Sequence, residues 1–367
     1  MKKIGIDARL YSQTGVGVYI RNLLYYLNRL DSDDYLIYVY LMNDDFPKVS
    51  FTKKNFIKVK ANYYWHTVNE QMGFLKKIND DKLDLMHFTY FSFPIFYAGK
   101  YMSTIHDLTP IHFKTGKAST KNRLVYEFKH LAFKHILKTQ VINSSKIITP
   151  TATVKKQLLS YFGEKYGNKI DYIYEGISHE FFQAKENPIL HNELGGKFFI
   201  YVGNFYPHKN VENLIKAFAQ IKKSDHSLIL IGPDDFFVAR LHRLIQELGL
   251  EKKIKFHHNQ SISDLVFFYK NAQALIHPSL SEGFGLPIIE SMYFNLPIIA
   301  SNIDVFRETL GNKYVSFTPK DIHDISTKIN VFIENKPKFD YKGILKKFSF
   351  EKMSSRTFQN YQLILKG

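Results

Sequence analysis

The chain has 367 residues, 45% hydrophobic and 16% aromatic, which is long for a single core and ample for two. It holds no cysteine, which excludes a disulfide framework and a thiolate metal site. Its formal net charge of +16 suits a polyanion or an anionic membrane surface, but no nucleic-acid module is recognisable, so no nucleic-acid partner is expected.

The chain opens with an apolar strand, KKIGID, and Asp7 and Arg9 interrupt any signal-peptide core. No apolar run approaches the ~20 residues that span a bilayer, so a cytoplasmic location is expected, with a peripheral place on the inner membrane face as an extension of the charge argument. The loop QTGVGVY follows, with Gly15, Val16 and Gly17, then a helix in which Ile20, Leu23, Leu24, Leu27 and Leu30 keep helical spacing. The third glycine of a dinucleotide fingerprint falls on Ile20; the loop therefore reads as a phosphate- or oxyanion-facing turn before a helix, or as a plain tight turn. Further strands are expected at 35–41, 56–60, 83–88, 102–106 and 146–149. His106 ends one of them and is followed by Asp107, at the carboxyl edge where parallel sheets bind ligands. Segment 111–140 carries Lys114, Lys117, Lys121, Arg123, Lys129, Lys134 and Lys138 against Glu127 alone, interleaved with apolar residues. It reads either as a helix lying on an anionic membrane or as a core-facing helix with solvated lysines.

The stretch 176–197, with Gly176, Pro188, Gly195 and Gly196, reads as a linker. Strand and helix patterns then restart at 198–203 and continue through 227–232, 254–258, 273–277, 296–300 and 314–317. The alternation predicts an α/β protein of two doubly wound parallel sheets, a first domain over 1–180 and a second over 196–347. The second contains the most informative segment, EGFGLPIIE, in which Glu282 and Glu290 are separated by seven residues. Gly283, Phe284, Gly285 and Leu286 form a loop running into a helix started by Pro287, an anion-binding arrangement with an acceptor carboxylate at each end. A diphosphate between two sets of hydroxyls, a nucleotide sugar, fits that layout. The plainer alternative is a loop acid plus a first-turn helix acid favoured by the dipole. Lys209, before a helix expected to be capped by Asn210, is placed to neutralise phosphate, and Asn204 lies five residues earlier. His277 reads as either supporting or core. The acid pairs Asp33–Asp34, Asp44–Asp45, Asp80–Asp81 and Asp234–Asp235 read as solvated turns, and no metal site is expected.

These motifs resemble the retaining glycosyltransferases of family 4, which have the GT-B fold of two Rossmann-like domains facing a cleft. The resemblance covers almost the whole chain and is strongest at 1–30, 102–160, 198–222 and 273–310. It implies that Glu282 faces the donor sugar, Glu290 holds the ribose, Lys209 binds the donor phosphates and Gly15–Gly17 lies across from them. It implies that His106 lies near the reacting carbon, and that residues 348–367 form a helix packing back on the first domain. Asn204 stands where the family often has a phosphate-binding arginine, and Phe350 where it usually has tryptophan. The implied activity is metal-independent transfer of a hexosyl group with retention, using a nucleotide sugar and no further cofactor. GIDAR and VGNFYPHKN look most like mannosyltransferases of polysaccharide or lipopolysaccharide assembly. GDP-mannose is therefore the first donor to try, with a saccharide or lipid-linked saccharide as acceptor. The alternatives are a GT-B epimerase or phosphorylase, a catalytically idle GT-B partner, and a polyanion-binding protein.

Overall fold

Short, largely apolar runs such as LMHF and LIH are buried along their whole length, as expected of parallel strands covered on both faces. The computed structural model describes residues 1–113, 123–221 and 225–366. They divide into two compact units: the first holds the described residues of 1–111, 122–178 and 349–367, the second those of 112–121 and 179–348.

In the first unit the strands are β1 (Lys2–Asp7), β2 (Tyr35–Leu41), β3 (Phe56–Lys60), β4 (Leu85–Phe88), β5 (Tyr101–Thr104), β6 (Lys146–Thr149) and β7 (Ile170–Tyr172). They pair in parallel in the order β3-β2-β1-β4-β5-β6-β7, so the winding reverses between β1 and β4. Its longer helices include α1 (Val16–Leu27), α2 (Arg123–Asn143) and α3 (Ala152–Phe162). One cluster of core residues gathers Tyr40, Phe74, Phe88, Phe93 and Tyr101; another gathers Ile105, Leu137, Val141, Ile147 and Leu158. β7, IDY, is buried only at Ile170 and carries an acid at its centre, so it lacks the apolar run of the other strands and was not among those expected.

The second unit has β8 (Phe198–Val202), β9 (Ser227–Gly232), β10 (Ile254–His258), β11 (Leu275–His277), β12 (Ile298–Ser301) and β13 (Val315–Phe317) in the order β10-β9-β8-β11-β12-β13, again parallel. Its longer helices are α4 (Val211–Ala219), α5 (Val238–Glu247), α6 (Ile262–Asn271), α7 (Leu286–Tyr293), α8 (Asp304–Leu310) and α9 (Ile322–Asn335). Phe199, Tyr201, Leu214, Phe218, Leu230, Ile276 and Ile329 belong to its core.

The last helix, α10 (Phe350–Lys366), returns to the first unit and packs on α1 and β4. Tyr361 seals this return: its hydroxyl lies 2.6 Å from Nδ1 of fully buried His87, whose Nε2 meets Thr104 Oγ1 at 2.8 Å. Burial lowers the His87 pKa to about 3, so this imidazole stays neutral.

Of the basic segment, Lys114, Lys117 and Lys121 lie outside the described residues. On the described part of α2, Leu137 is buried and Phe133 and Ile136 pack on core clusters, so the core-facing alternative holds there, while Leu131 is exposed. Among the described residues no helix is long and apolar enough to cross a membrane. Three of the acid pairs are not plain solvated turns. Asp45 accepts from Ser12 and Lys48, Asp81 from the Tyr40 hydroxyl, and Asp235 from the backbone N–H groups of Phe205 and Phe237. Each ties a loop that would otherwise leave polar groups unpaired.

Candidate functional site

In the second unit the winding reverses between β8 and β11, and the loops leaving the carboxyl ends of these strands carry the predicted residues. The loop after β8 holds Asn204 and Lys209; the loop after β11 holds Ser279 and Glu282. Lys209 Nζ lies 2.7 Å from Glu282 Oε1, His277 Nε2 lies 2.9 Å from the same oxygen, and Ser279 Oγ donates to it at 2.7 Å. Burial works to raise the Glu282 pKa, but the Lys209 charge and the His277 bond reverse the effect and hold it well below the ordinary carboxylate range. His277 is buried and its pKa is lowered by that burial, against the pull of Glu282. A neutral ring therefore donates Nε2–H to the carboxylate. Its Nδ1 is buried with no hydrogen-bond partner among the described residues, and its ring stacks on Tyr201 at 18°.

Glycine is required where this loop enters α7. Gly285 has φ +89°, and a Cβ there would lie 2.9 Å from the Phe306 ring. Phe284 is buried edge-on against Phe348, which anchors the loop, and Pro287 occupies the first helical turn. Glu290 lies one turn beyond Leu286, and α7 has no acid in its first turn, so the helix-dipole alternative fails. Glu290 is instead buried, with the Tyr269 hydroxyl donating to Oε2 at 2.5 Å. Burial raises its pKa to about 7; the Tyr269 bond opposes this and the charge of Glu180 adds to it. The two glutamates of one motif are thus driven apart, Glu282 firmly ionised and Glu290 poised near neutrality.

Asn210 does not cap α4 as expected. It sits at φ +61°, and its side-chain amide donates to the carbonyls of Pro278 and Pro319, pinning the Lys209 turn to the Glu282 loop. Asn204 Oδ1 is buried without a hydrogen-bond partner among the described residues, while its carbonyl accepts from the Tyr201 hydroxyl at 2.5 Å. Arg307 of α8 is half-exposed and engaged with Asp304 and Asn302.

In the first unit Gly15 opens α1 at φ +62°, with Gln13, Thr14 and Gly15 exposed and Val16 partly so. A Cβ on Gly17 would meet the Tyr11 carbonyl at 2.6 Å, so that position is glycine for close packing. His106 donates Nε2–H to the Thr89 carbonyl at 3.0 Å and faces buried Glu175 Oε1 with Nδ1 at 3.3 Å. Tyr19 of α1 meets its ring edge-on at 4.8 Å, linking the glycine loop's helix to His106. The structure therefore brings Lys209 and Glu282 together in the second unit, keeps Glu290 of α7 apart from them in a buried pairing with Tyr269, and sets Tyr19, two residues past Gly17, against His106 in the first. Ser279, Tyr269 and Glu175 carried no motif and were missed. Ser279 alone had a signal, three residues before Glu282 in a loop already singled out.

Residues 183–343 match the family model for glycosyl transferases group 1. The O-antigen chain mannosyltransferase RfbU of Salmonella typhimurium is 31% identical over 219 residues, 59% of this chain and 56% of that protein. The O-antigen chain mannosyltransferase B of Escherichia coli is 28% identical over 173 residues, 45% of each chain. The matched region thus spans about half the length of these curated relatives. Anabaena Alr3699/HepE, solved in complex with UDP and glucose, aligns over 99% of this chain and 100% of its own, with a TM-score of 0.76 and 18% identity. That likeness shows the expected fold, GT-B with two Rossmann-like domains.

Proposed function

We propose that the chain is a retaining hexosyltransferase using a nucleotide diphosphate sugar, with residues 183–343, which match the group 1 glycosyl transferase model, as its donor-binding domain. The observation that carries this reading is the buried constellation at the β8–β11 switch, where Lys209, His277 and Ser279 all converge on one oxygen of Glu282. Saturating Oε1 fixes the carboxylate and leaves Oε2 to accept from donor-sugar hydroxyls, a preorganised positioning group. Lys209 meets the diphosphate as negative charge grows on it, together with the amino end of α7. Glu290, steadied by Tyr269, accepts from the ribose hydroxyls. The bond from the anomeric carbon to the phosphate oxygen breaks as the bond to the acceptor oxygen forms, on the same face. The acceptor's proton passes to the departing phosphate oxygen, so no covalent nucleophile is needed. The fixed cation Lys209 supports a metal-independent mechanism.

Two O-antigen chain mannosyltransferases among the relatives favour a mannose donor, GDP-mannose first, and a growing surface polysaccharide as acceptor. UDP-glucose ranks second, from the ligands of Alr3699/HepE. A thermal-shift screen of GDP, UDP, dTDP and ADP sugars tests the reading. The right donor at 100 times its dissociation constant should stabilise the protein by about 2.7 kcal/mol. Failure of every nucleotide sugar to stabilise it would refute the proposal and favour an idle partner.

A further inference from the structure

In the first unit, the loop 61–69 that leaves β3, ANYYWHTVN, is tied down by a buried ion-pair network although most of it is exposed. Arg9, fully buried just beyond β1, donates Nη1–H to the Tyr63 carbonyl at 2.9 Å and Nη2–H to Asp7 at 2.7 Å and Glu70 at 2.8 Å. Fully buried Glu70 also accepts from Ser92 Oγ at 2.7 Å and from the backbone N–H of His66 at 3.0 Å. These bonds hold His66 at φ +60°, a conformation that needs compensation in a residue other than glycine. The result is an imidazole stacked at 24° on the Phe91 ring, its own centroid 5.8 Å away, on a residue at the surface. Phe91 lies against Tyr90 and Phe133, so the stack has a firm floor. Tyr64, 58% exposed, and Trp65 immediately precede His66 in the chain, their own ring centroids 5.8 Å apart and their planes tilted by 54°.

We propose that Tyr64, Trp65 and His66 form a platform that binds a pyranose ring of the saccharide acceptor. An aromatic face is the negative side of a ring quadrupole, and the axial C–H groups of a pyranose present a weakly positive face to it. The exposed neighbours Asn62, Thr67 and Asn69 interleave amides and a hydroxyl with these rings and match sugar hydroxyls, with exposed Val68 as one more apolar contact for a sugar face. The platform is also joined to His106: the Thr89 carbonyl accepts from His106 Nε2–H, and Phe91, two residues on, is the floor under His66. The ligand class rests on the transferase reading; the platform's residues do not depend on the donor site.

Trp65 is the chain's only tryptophan, so its indole emission reports on the platform directly. The full chain is titrated with methyl α-D-mannopyranoside, methyl α-D-glucopyranoside and methyl N-acetyl-β-D-glucosaminide while indole emission is followed. A saturable change with at least one glycoside is expected. Tyr64→Ala and His66→Gly should each weaken it about tenfold, about 1.4 kcal/mol, with the melting temperature and the GDP- or UDP-induced shift retained. His66→Gly removes the ring while accepting the positive φ, so a purely structural His66 would leave glycoside affinity unaltered and overturn the proposal. No saturable change with any glycoside, or a change with phosphatidylglycerol vesicles in its place, overturns it too. A nucleotide-induced shift persisting in either case leaves the donor reading standing. Glycoside saturation without any nucleotide shift would instead defeat the donor reading and keep the platform.

Discussion

Replacing Lys209 with alanine removes one member of a largely buried ion pair and leaves Glu282 charged in its place. At 2.7 Å and an effective dielectric of about 20, the Coulomb attraction is about 6 kcal/mol, and desolvation of the pair offsets much of it. Breaking a buried pair from one side costs about 3–5 kcal/mol; because His277 and Ser279 stay on the same oxygen, the lower end applies, about 3 kcal/mol. For a unit of this size that lowers the melting transition by about 6–12 °C. Adding Glu282→Gln to Lys209→Ala removes the stranded charge and should recover most of the loss, so a double-mutant cycle by thermal and urea unfolding isolates the pair. Turnover with the donor should fall further than stability accounts for, by about 30- to 1000-fold, or about 2–4 kcal/mol in the transition state. Lys209→Ala melting within about 1 °C of the parent, or a double variant as unstable as the single one, would refute the pairing. Parental turnover would mean that another group holds the leaving phosphate.

Glu290 should make stability and donor affinity depend on pH in opposite senses. Its folded pKa is raised from 4.5 to about 7, so its contribution is fully present below pH 4.5, declines as pH rises and is lost above about 7, a change of about 3 kcal/mol that Glu290→Gln should flatten in pH-dependent melts. Nucleotide affinity should rise through the same window with proton release, read by calorimetry in buffers of different ionisation enthalpy; pH-independent affinity would exclude a ribose-binding carboxylate. Glu282→Gln should lower kcat with little change in donor KM, whereas Glu290→Gln should chiefly raise KM; equal small effects on both parameters in both variants would sink the assignment. Tyr361→Phe strands buried His87 Nδ1 and should destabilise the first unit by about 1–3 kcal/mol; an unchanged unfolding midpoint would show that α10 is held by its apolar face alone.

Most of the strand positions were legible because parallel strands bury both faces and read as apolar runs, while Val211, Leu214, Ile215 and Phe218 keep helical spacing on the buried face of α4. The EGFGLPIIE loop was legible because Gly285 and Pro287 each meet a backbone requirement that few other residues can. Asn210 misled for a physical reason: a residue before a helix that caps it and one that takes a left-handed turn to bond distant carbonyls look the same in sequence. Long-range partners left no local trace. Tyr269 reaches Glu290 from α6, Glu175 reaches His106 from beyond β7, and Glu70 reaches Arg9 across the sheet. Each is set by tertiary packing, to which periodicity is blind.

The central claim is tested most directly by following one transfer reaction. GDP-mannose and UDP-glucose are each incubated with the full chain and a mannose-terminated acceptor, and proton NMR records nucleotide release and the anomeric configuration of the product. The account predicts acceptor-dependent release of nucleoside diphosphate from one donor, and an α-glycoside from that α-linked donor. A β-glycoside would contradict the front-face mechanism. No turnover with any GDP, UDP, dTDP or ADP sugar would contradict the assignment of Lys209, Glu282 and Glu290 as a working donor site.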